Sequence, residues 1–477
     1  MLSRRRFLAS AAGAGVGRAA AAARPNIVMV LLDDQRWDAF SASGVRGIFD
    51  FLKTPHMDRL AAEGIHFRNT FCTTSLCSPS RASILSGQWV HTHGVHSLAG
   101  DLADGTATFP ELLRQAGYDT GFVGKWHLGR ESEVPDAAFG FWAAFRGQGT
   151  YFDPLLNVNG ERTPTSGYVT DILTNYAIDF VKKRRERPFF LLLSHKAAHD
   201  PCTPPKEPES LFEDVRVEYP PSYHERHDDK PSWYLNFHDH DAFHYMYHPR
   251  EKFEKYVKDY ARTLVSVDEN LGRLLGALEE SGQLGNTVIF WLADNGHFMA
   301  EHQFFSKMIM YEESIRIPLL VRDPRGKQRG VRREEFILNV DLAPTILEIA
   351  GVAAPREMEG RSFARMLSGG RIRGWRKSFL YEYEDGTPSW GLPQLEGVRT
   401  ADGWQYTRYP DWEQMYDIYA DPTQVRNLAQ DPRYAGKKRQ LMGELRRLGG
   451  GRRALQPGGA YKRRSEAVHT PHLPDFR

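Results

Sequence analysis

One cysteine, three carboxylates and several cationic side chains stand where local sequence leaves them available for chemistry. Cys77 opens the run Cys77-Ser78-Pro79-Ser80-Arg81, which continues into Ala82-Ser83-Ile84-Leu85-Ser86-Gly87. Asp33-Asp34 follow the apolar segment 26–32, and Asp294-Asn295 follow the apolar segment 287–293. Three carboxylates and an amide are hard oxygen donors that suit Ca²⁺ or Mg²⁺, and no cysteine or histidine pair offers zinc spacing. Each pair taken alone fits a turn or a helix cap equally well. Lys125 and His127 lie two apart in Gly124-Lys125-Trp126-His127-Leu128-Gly129, so both can face one cavity.

Positioning these groups falls to short apolar runs alternating with helical patterns. Segments 26–32, 189–194 and 287–293 read as strands buried on both faces, because their apolar character is continuous. Ile317-Pro318-Leu319-Leu320-Val321 is expected as a fourth strand. Apolar spacing predicts helices over 256–278 and 341–350. This alternation predicts an α/β fold with a large, mostly parallel or mixed sheet sandwiched by helices. Polar residues cluster just past strand ends, where open α/β sheets build their sites. After about residue 368 the texture changes to short aromatic strands over 378–383, 397–400 and 404–409. A closing helix over 428–448 completes a small C-terminal antiparallel-sheet-plus-helix subdomain. The expected organisation is a leader over 1–23, a catalytic domain over 24–368, the subdomain over 369–448 and a basic flexible tail over 449–477.

The chain of 477 residues carries a net charge of +2, but residues 1–23 hold four arginines and no acid, so the remainder is −2. No clustered basic face points to nucleic acid. Ser3-Arg4-Arg5-Arg6-Phe7-Leu8, a short Ala/Gly-rich apolar stretch and Ala21-Ala22-Ala23 read as a twin-arginine export signal, against a disordered basic tail. That stretch is too short to anchor stably in a membrane, so a periplasmic or extracellular location is expected. Besides Cys77, Cys72 and Cys202 are expected as buried thiols, with pairing as the alternative. Six of the 18 histidines (His224, His227, His238, His240, His244 and His248) fall in one aromatic-rich segment. Their irregular spacing favours an insertion loop at the cleft mouth, with Trp233 available to stack on sugars, over a second metal site.

The Cys77 run, the Lys125/His127 hexapeptide, Thr54-Pro55-His56-Met57-Asp58-Arg59-Leu60 and Met415-Tyr416-Asp417 together resemble the type I sulfatases of the alkaline-phosphatase superfamily. Residues 145–154, with Asn157-Val158-Asn159-Gly160 and Gly167-Tyr168-Val169-Thr170-Asp171, resemble its N-acetylglucosamine-6-sulfatase and arylsulfatase A-like branch. The resemblance implies that a maturation enzyme oxidises Cys77 to formylglycine, whose hydrate attacks sulfur. It implies Asp33, Asp34, Asp294, Asn295 and residue 77 as ligands of Ca²⁺, with Mg²⁺ as the alternative. Arg81, Lys125 and Lys307 would hold sulfate, His199, or Lys307 beside it, would protonate the leaving oxygen, and His127 would deprotonate the second hydroxyl. The implied activity is hydrolysis of a sulfated glycan, a 6-O-sulfated N-acetylglucosamine unit by the narrower resemblance. Alternatives are a phosphomonoester or phosphonate hydrolase of the same superfamily and a glycan-binding pseudo-sulfatase that lacks the modification. Cys202 and His297 depart from the family pattern near the expected substrate cavity.

Overall fold

The computed structural model describes residues 24–459, except 130–133, 135–136, 207–209, 385–389 and 452. The leader read over 1–23 therefore lies outside the described residues, as does the end of the tail. The central strands are β1 (Asn26–Leu32), β2 (Asp119–Lys125), β3 (Phe189–Ser194) and β4 (Thr287–Ala293). They pair in parallel in the order β4-β1-β3-β2 within a 10-stranded mixed sheet. Phe141–Phe145 joins β2 in parallel, and parallel and antiparallel neighbours, among them β5 (Leu319–Arg322) antiparallel to β4, complete the edges. Strand β1 is apolar from Ile27 to Leu32 because both faces are covered. Val28, Val30 and Leu32 join one buried cluster, and Ile27, Met29 and Leu31 join the other.

The first cluster is closed by a 31-residue helix (Arg250–Glu280), whose Tyr256, Tyr260, Leu264, Val267 and Leu271 recur at helical spacing. The second is closed by α1 (Cys77–Ser86), in which all ten residues are buried. Glycine Gly87, at φ 68°, ends α1 with its N–H on the Ser83 carbonyl.

The expected fourth strand is split. Arg316–Ile317 pairs with Thr70–Phe71 in a small sheet, while β5 joins the large one. Pro318 lies at the break, where its missing N–H cannot serve a ladder. The C-terminal sheet is antiparallel and has four strands, Ser378–Tyr383, Leu395–Thr400, Trp404–Arg408 and Glu413–Asp417. The last of these was not expected. The closing helix is shorter than expected, Ala435–Arg447.

Two expectations are corrected by packing. Within the tail read as flexible, residues 453–459 lie along the subdomain. There Gln394 N donates to Gln456 O at 3.0 Å, and Arg453 pairs with Glu384. The histidine-rich segment is not a loop. It holds the helix His238–Tyr247, with Phe237 and Tyr247 fully buried, and His302 reaches back to its Glu225 at 2.5 Å. Trp233 packs on Tyr409 and Trp412. Cys72 and Cys202 are free and buried, as expected, and Cys77 is buried with them.

Two residues test how this frame supports α1 and β2. At Gly124, φ is +113° and an added Cβ would lie 1.9 Å from the Ser194 carbonyl oxygen of β3. Gly124→Ala is expected to lose at least about 2 kcal/mol of stability, read from the urea midpoint. His93 lies behind α1. Its Nδ1 accepts from Val95 N at 3.0 Å, which leaves the ring proton on Nε2, 3.0 Å from Ser83 Oγ. Burial, with the charges of His96 and His91, lowers its pKa to about 3. Stability from this group is complete above its unfolded pKa of about 6.5. As pH falls towards 3 it declines by about 1.4 kcal/mol per pH unit. His93→Gln is expected to flatten that part of the acid limb in urea titrations between pH 6 and 4.

Candidate active site

The parallel strands deliver their carboxyl ends to one edge of the sheet, and register fixes which residues emerge together. Leu32 stands opposite Ala293, and Leu31 and Gly124 stand opposite Ser194. Asp33-Asp34, Asp294-Asn295, Lys125 and the segment from His195 therefore leave the sheet side by side. Backbone bonds prolong the register: Asp294 N donates to Leu32 O at 3.1 Å and Ala198 N to Asp33 O at 2.7 Å. Left-handed backbone accumulates here at Asp34 (φ 60°), His127 (φ 56°), Ser306 (φ 70°) and Met308 (φ 86°). Such conformations persist where packing over-determines them and tend to mark functional sites.

Cys77 is the first residue of α1, and its Sγ lies 3.5 Å from Asp33 Oδ1. One turn on, Arg81 reaches through the interior. Its Nε and Nη2 meet Asp294 Oδ2 at 2.9 and 2.8 Å, and its Nη1 donates to Ser194 Oγ and Lys125 O at 2.7 and 2.9 Å. Lys125 pairs with Asp33 and with Gln148, and Lys307 pairs with Asp34. His199 Nε2 stands 3.8 Å from Asp34 Oδ2.

Three carboxylates face three cations, all buried. Burial raises the Asp34 carboxyl to about 7, and Asp33 and Asp294 add to it against the pull of Lys307. Burial also acts to raise Asp33, but Lys125, His199, Arg81 and Lys307 outweigh it and hold that carboxyl well below the usual range. Burial opposes the charge on Lys307, yet Asp34 beside it holds the ammonium well above its usual pKa. Burial, Lys125 and Arg81 push His127 far down. The Cys77 thiol is pushed strongly up by burial and by Asp33, so the unmodified sulfur is a poor nucleophile.

Two buried oxygens here have no hydrogen-bond partner, Asp34 Oδ2 and Asn295 Oδ1. Unpaired polar atoms in an interior are costly. Among the described residues, the groupings of metal-type ligands are Asp33/Asp34/Asp294, Asp33/Cys77/His199 and Asp34/His199/Asp200. No such grouping involves the histidine-rich segment. The oxygen donors fit a hard divalent cation, which would use both orphan oxygens and relieve the carboxylate repulsion.

Cys77, Arg81, Lys125, His127, His199, Lys307 and the four expected metal ligands fall in this cluster or its electric field, whereas the clustered histidines and Trp233 do not. Four neighbours were not singled out. Gln148 pairs with Lys125, Ser194 with Arg81, and Asp239 Oδ2 accepts from Lys307 N at 3.2 Å. His297, noted only as a departure, has Nδ1 3.7 Å from Asp34 Oδ2. Ser194 was accessible from strand register, whereas Asp239 joins through long-range packing.

Residues 25–352 match the family model described as Sulfatase, and residues 300–450 match that described as N-sulphoglucosamine sulphohydrolase, C-terminal. The chain belongs to the sulfatase family. This sulfatase is 34% identical to an N-acetylglucosamine-6-O-sulfatase of Bacteroides thetaiotaomicron, over 88% of the chain and 85% of the relative. It is 31% identical to the N-acetylglucosamine-6-sulfatase of Homo sapiens, over 88% of the chain and 84% of the relative. A solved structure of a protein with its substrate D-glucosamine-2-N,6-O-disulfate superposes with a TM-score of 0.83 at 30% identity, covering 89% of this chain and 97% of that one. A phosphonate monoester hydrolase from Silicibacter pomeroyi shares the fold, with a TM-score of 0.75 at 21% identity over 92% of this chain and all of that one. The two sequence relatives named are sulfuric ester hydrolases, and the fold is the alkaline-phosphatase-like one expected.

The orphan oxygens give a test independent of turnover. Ca²⁺ at 100 times its Kd is expected to stabilise the sulfatase by about 2.7 kcal/mol, and a chelator should reverse the gain. In Asp294→Asn the shift, followed by differential scanning fluorimetry, should vanish.

Proposed function

We propose that this sulfatase is an exported enzyme that uses formylglycine at position 77 and a divalent cation to remove 6-O-sulfate from N-acetylglucosamine units of a glycan. The observation that carries the reading is the position of Cys77 at the start of α1. There its Sγ lies 3.5 Å from Asp33, inside the ring formed by Arg81, Lys125, Lys307 and three carboxylates. The substrate class is supported by the relatives named for N-acetylglucosamine 6-sulfate and by the glucosamine disulfate held in the structural neighbour. Export rests on the twin arginines of the first 23 residues. Among the described residues, no helix is long and apolar enough to cross a membrane. The partners in this reading are a sulfated carbohydrate, the formylglycine-generating maturation enzyme and the twin-arginine translocase.

Asp33, Asp34, Asp294, Asn295 and residue 77 would hold Ca²⁺, with Mg²⁺ as the alternative. When present, the cation and the aldehyde hydrate supply a polarised sulfuryl group and a nucleophilic hydroxyl. The protein's own residues do the rest. Arg81, Lys125 and Lys307 are fixed, buried cations placed to stabilise negative charge on the sulfuryl oxygens. Lys125 and Lys307, now paired with Asp33 and Asp34, would be free to hold sulfate if those carboxylates held the cation. His199 would donate a proton to the departing sugar oxygen, and buried, neutral His127 would accept one from residue 77 once it carries the hydrated aldehyde.

Nothing favours a phosphoryl ester, since the likeness to phosphonate hydrolases extends to fold alone. A pseudo-enzyme is disfavoured because each cation of the expected set is present.

The deciding experiment is the mass of the tryptic peptide containing residue 77, from protein made with its maturation enzyme. A loss of about 18 Da marks the aldehyde. Cys77→Ala should then lower hydrolysis of 6-O-sulfated N-acetylglucosamine at least about 1000-fold, and Cys77→Ser should stall as a sulfate ester on the protein. A thiol in every preparation, or full activity in Cys77→Ala, overturns the reading.

A further inference from the structure

We propose that Asp200 is a positioning residue that holds the His199 ring with Nε2 turned towards the leaving oxygen. The inference rests on the function proposed above, in which His199 donates the proton.

Both hydrogen-bonding atoms of Asp200 that face His199 meet the same ring nitrogen. Nδ1 lies 3.0 Å from the Asp200 carbonyl oxygen and 3.1 Å from its Oδ1. A backbone carbonyl can only accept, so Nδ1 carries a proton and points away from the carboxylate cluster. Nε2 is thereby turned inward, 3.8 Å from Asp34 Oδ2.

The backbone beneath this pair is fixed from three sides. Asp33 N donates to Ala197 O at 3.1 Å, and Ala198 N returns a bond to Asp33 O at 2.7 Å. Tyr151 Oη donates to His199 O at 2.5 Å. Lys196 Nζ lies 4.9 Å above the Tyr151 ring and 3.4 Å from Asp200 O. With the backbone held, rotation of the imidazole is the freedom that remains, and the Asp200 carboxylate opposes it.

The arrangement distinguishes His199 from the other histidines nearby. The Nδ1 atoms of His127, His195 and His297 are buried without a hydrogen-bond partner. A carboxylate on the far nitrogen is a recurrent way to fix a working imidazole. In the step concerned, the sulfur–oxygen bond breaks with its electron pair on the leaving oxygen. That oxygen takes the proton from Nε2 of the doubly protonated ring, and the neutral imidazole left behind keeps Nδ1–H on Asp200.

The test uses the full chain made with its maturation enzyme and a series of aryl sulfates from 4-nitrophenyl to unsubstituted phenyl. A good leaving group departs without a proton and a poor one needs it. Asp200→Ala is expected to lose about 10–100-fold in kcat on phenyl sulfate and little on 4-nitrophenyl sulfate, so its leaving-group dependence steepens. His199→Ala should show the same steepening, and the double variant should be no worse than His199→Ala alone. Asp200→Asn keeps an acceptor for Nδ1 and should retain most activity on both esters. An unchanged leaving-group slope in Asp200→Ala, an equal loss on both esters, or Asn as damaging as Ala overturns this inference alone. An unaltered protein inert towards every sulfate ester overturns the function on which it rests, and the inference with it.

Discussion

The structure depends on a buried exchange of charge. Asp33, Asp34 and Asp294 converge in an interior where an unpaired carboxylate is very costly, and Arg81, Lys125 and Lys307 answer them one for one. Removing one partner would leave a buried charge uncompensated, so each member fixes its neighbours. In the function proposed, a cation that took over the carboxylates would leave the lysines to an anionic ester.

Such a cluster requires a rigid frame, because charges repay their desolvation only at good geometry. Four parallel strands, closed on both faces by apolar clusters, set the depth from which each site residue emerges. Helix α1 adds Cys77 and Arg81 one turn apart, so the thiol position and a neighbouring cation move as one body. The left-handed residues around the site are the local consequence of forcing several chain segments to turn together.

The C-terminal sheet is part of this frame rather than an appendage. Tyr381 Oη donates to Met308 O at 2.7 Å, and Arg399 Nε meets Glu312 at 2.9 Å, so the sheet clasps the segment that presents Lys307. It also reaches the approach to Cys77, where Glu382 N donates to Thr73 O at 3.0 Å. From the other side, the helix His238–Tyr247 supplies Asp239 to the Lys307 amide. Cores that merge catalytic and C-terminal residues, among them Phe71, Tyr311 and Phe379, explain why a boundary near residue 368 marks a change of texture but not of packing.

The sequence by itself determined the parts governed by local chemistry. Continuous apolar runs gave the bounds of β1, β3 and β4, because a strand covered on both faces can expose nothing polar. The Cys77 run, the Asp-Asp and Asp-Asn strand ends and the Lys125/His127 turn were legible as candidates, because those motifs are contiguous, and the fold brings them into one buried cluster. Its blind spots were equally physical. A proline split one expected strand between two sheets, and a polar, aromatic segment expected as a loop became a packed helix. Tertiary structure alone decided that Asp239 supports Lys307 and that a remote sheet clasps the same lysine. These are pairings between distant segments whose partners carry no mark in their own sequence. Even Asp200, adjacent to His199 in the chain, acquired its meaning only when the backbone turned both its acceptors onto one ring nitrogen.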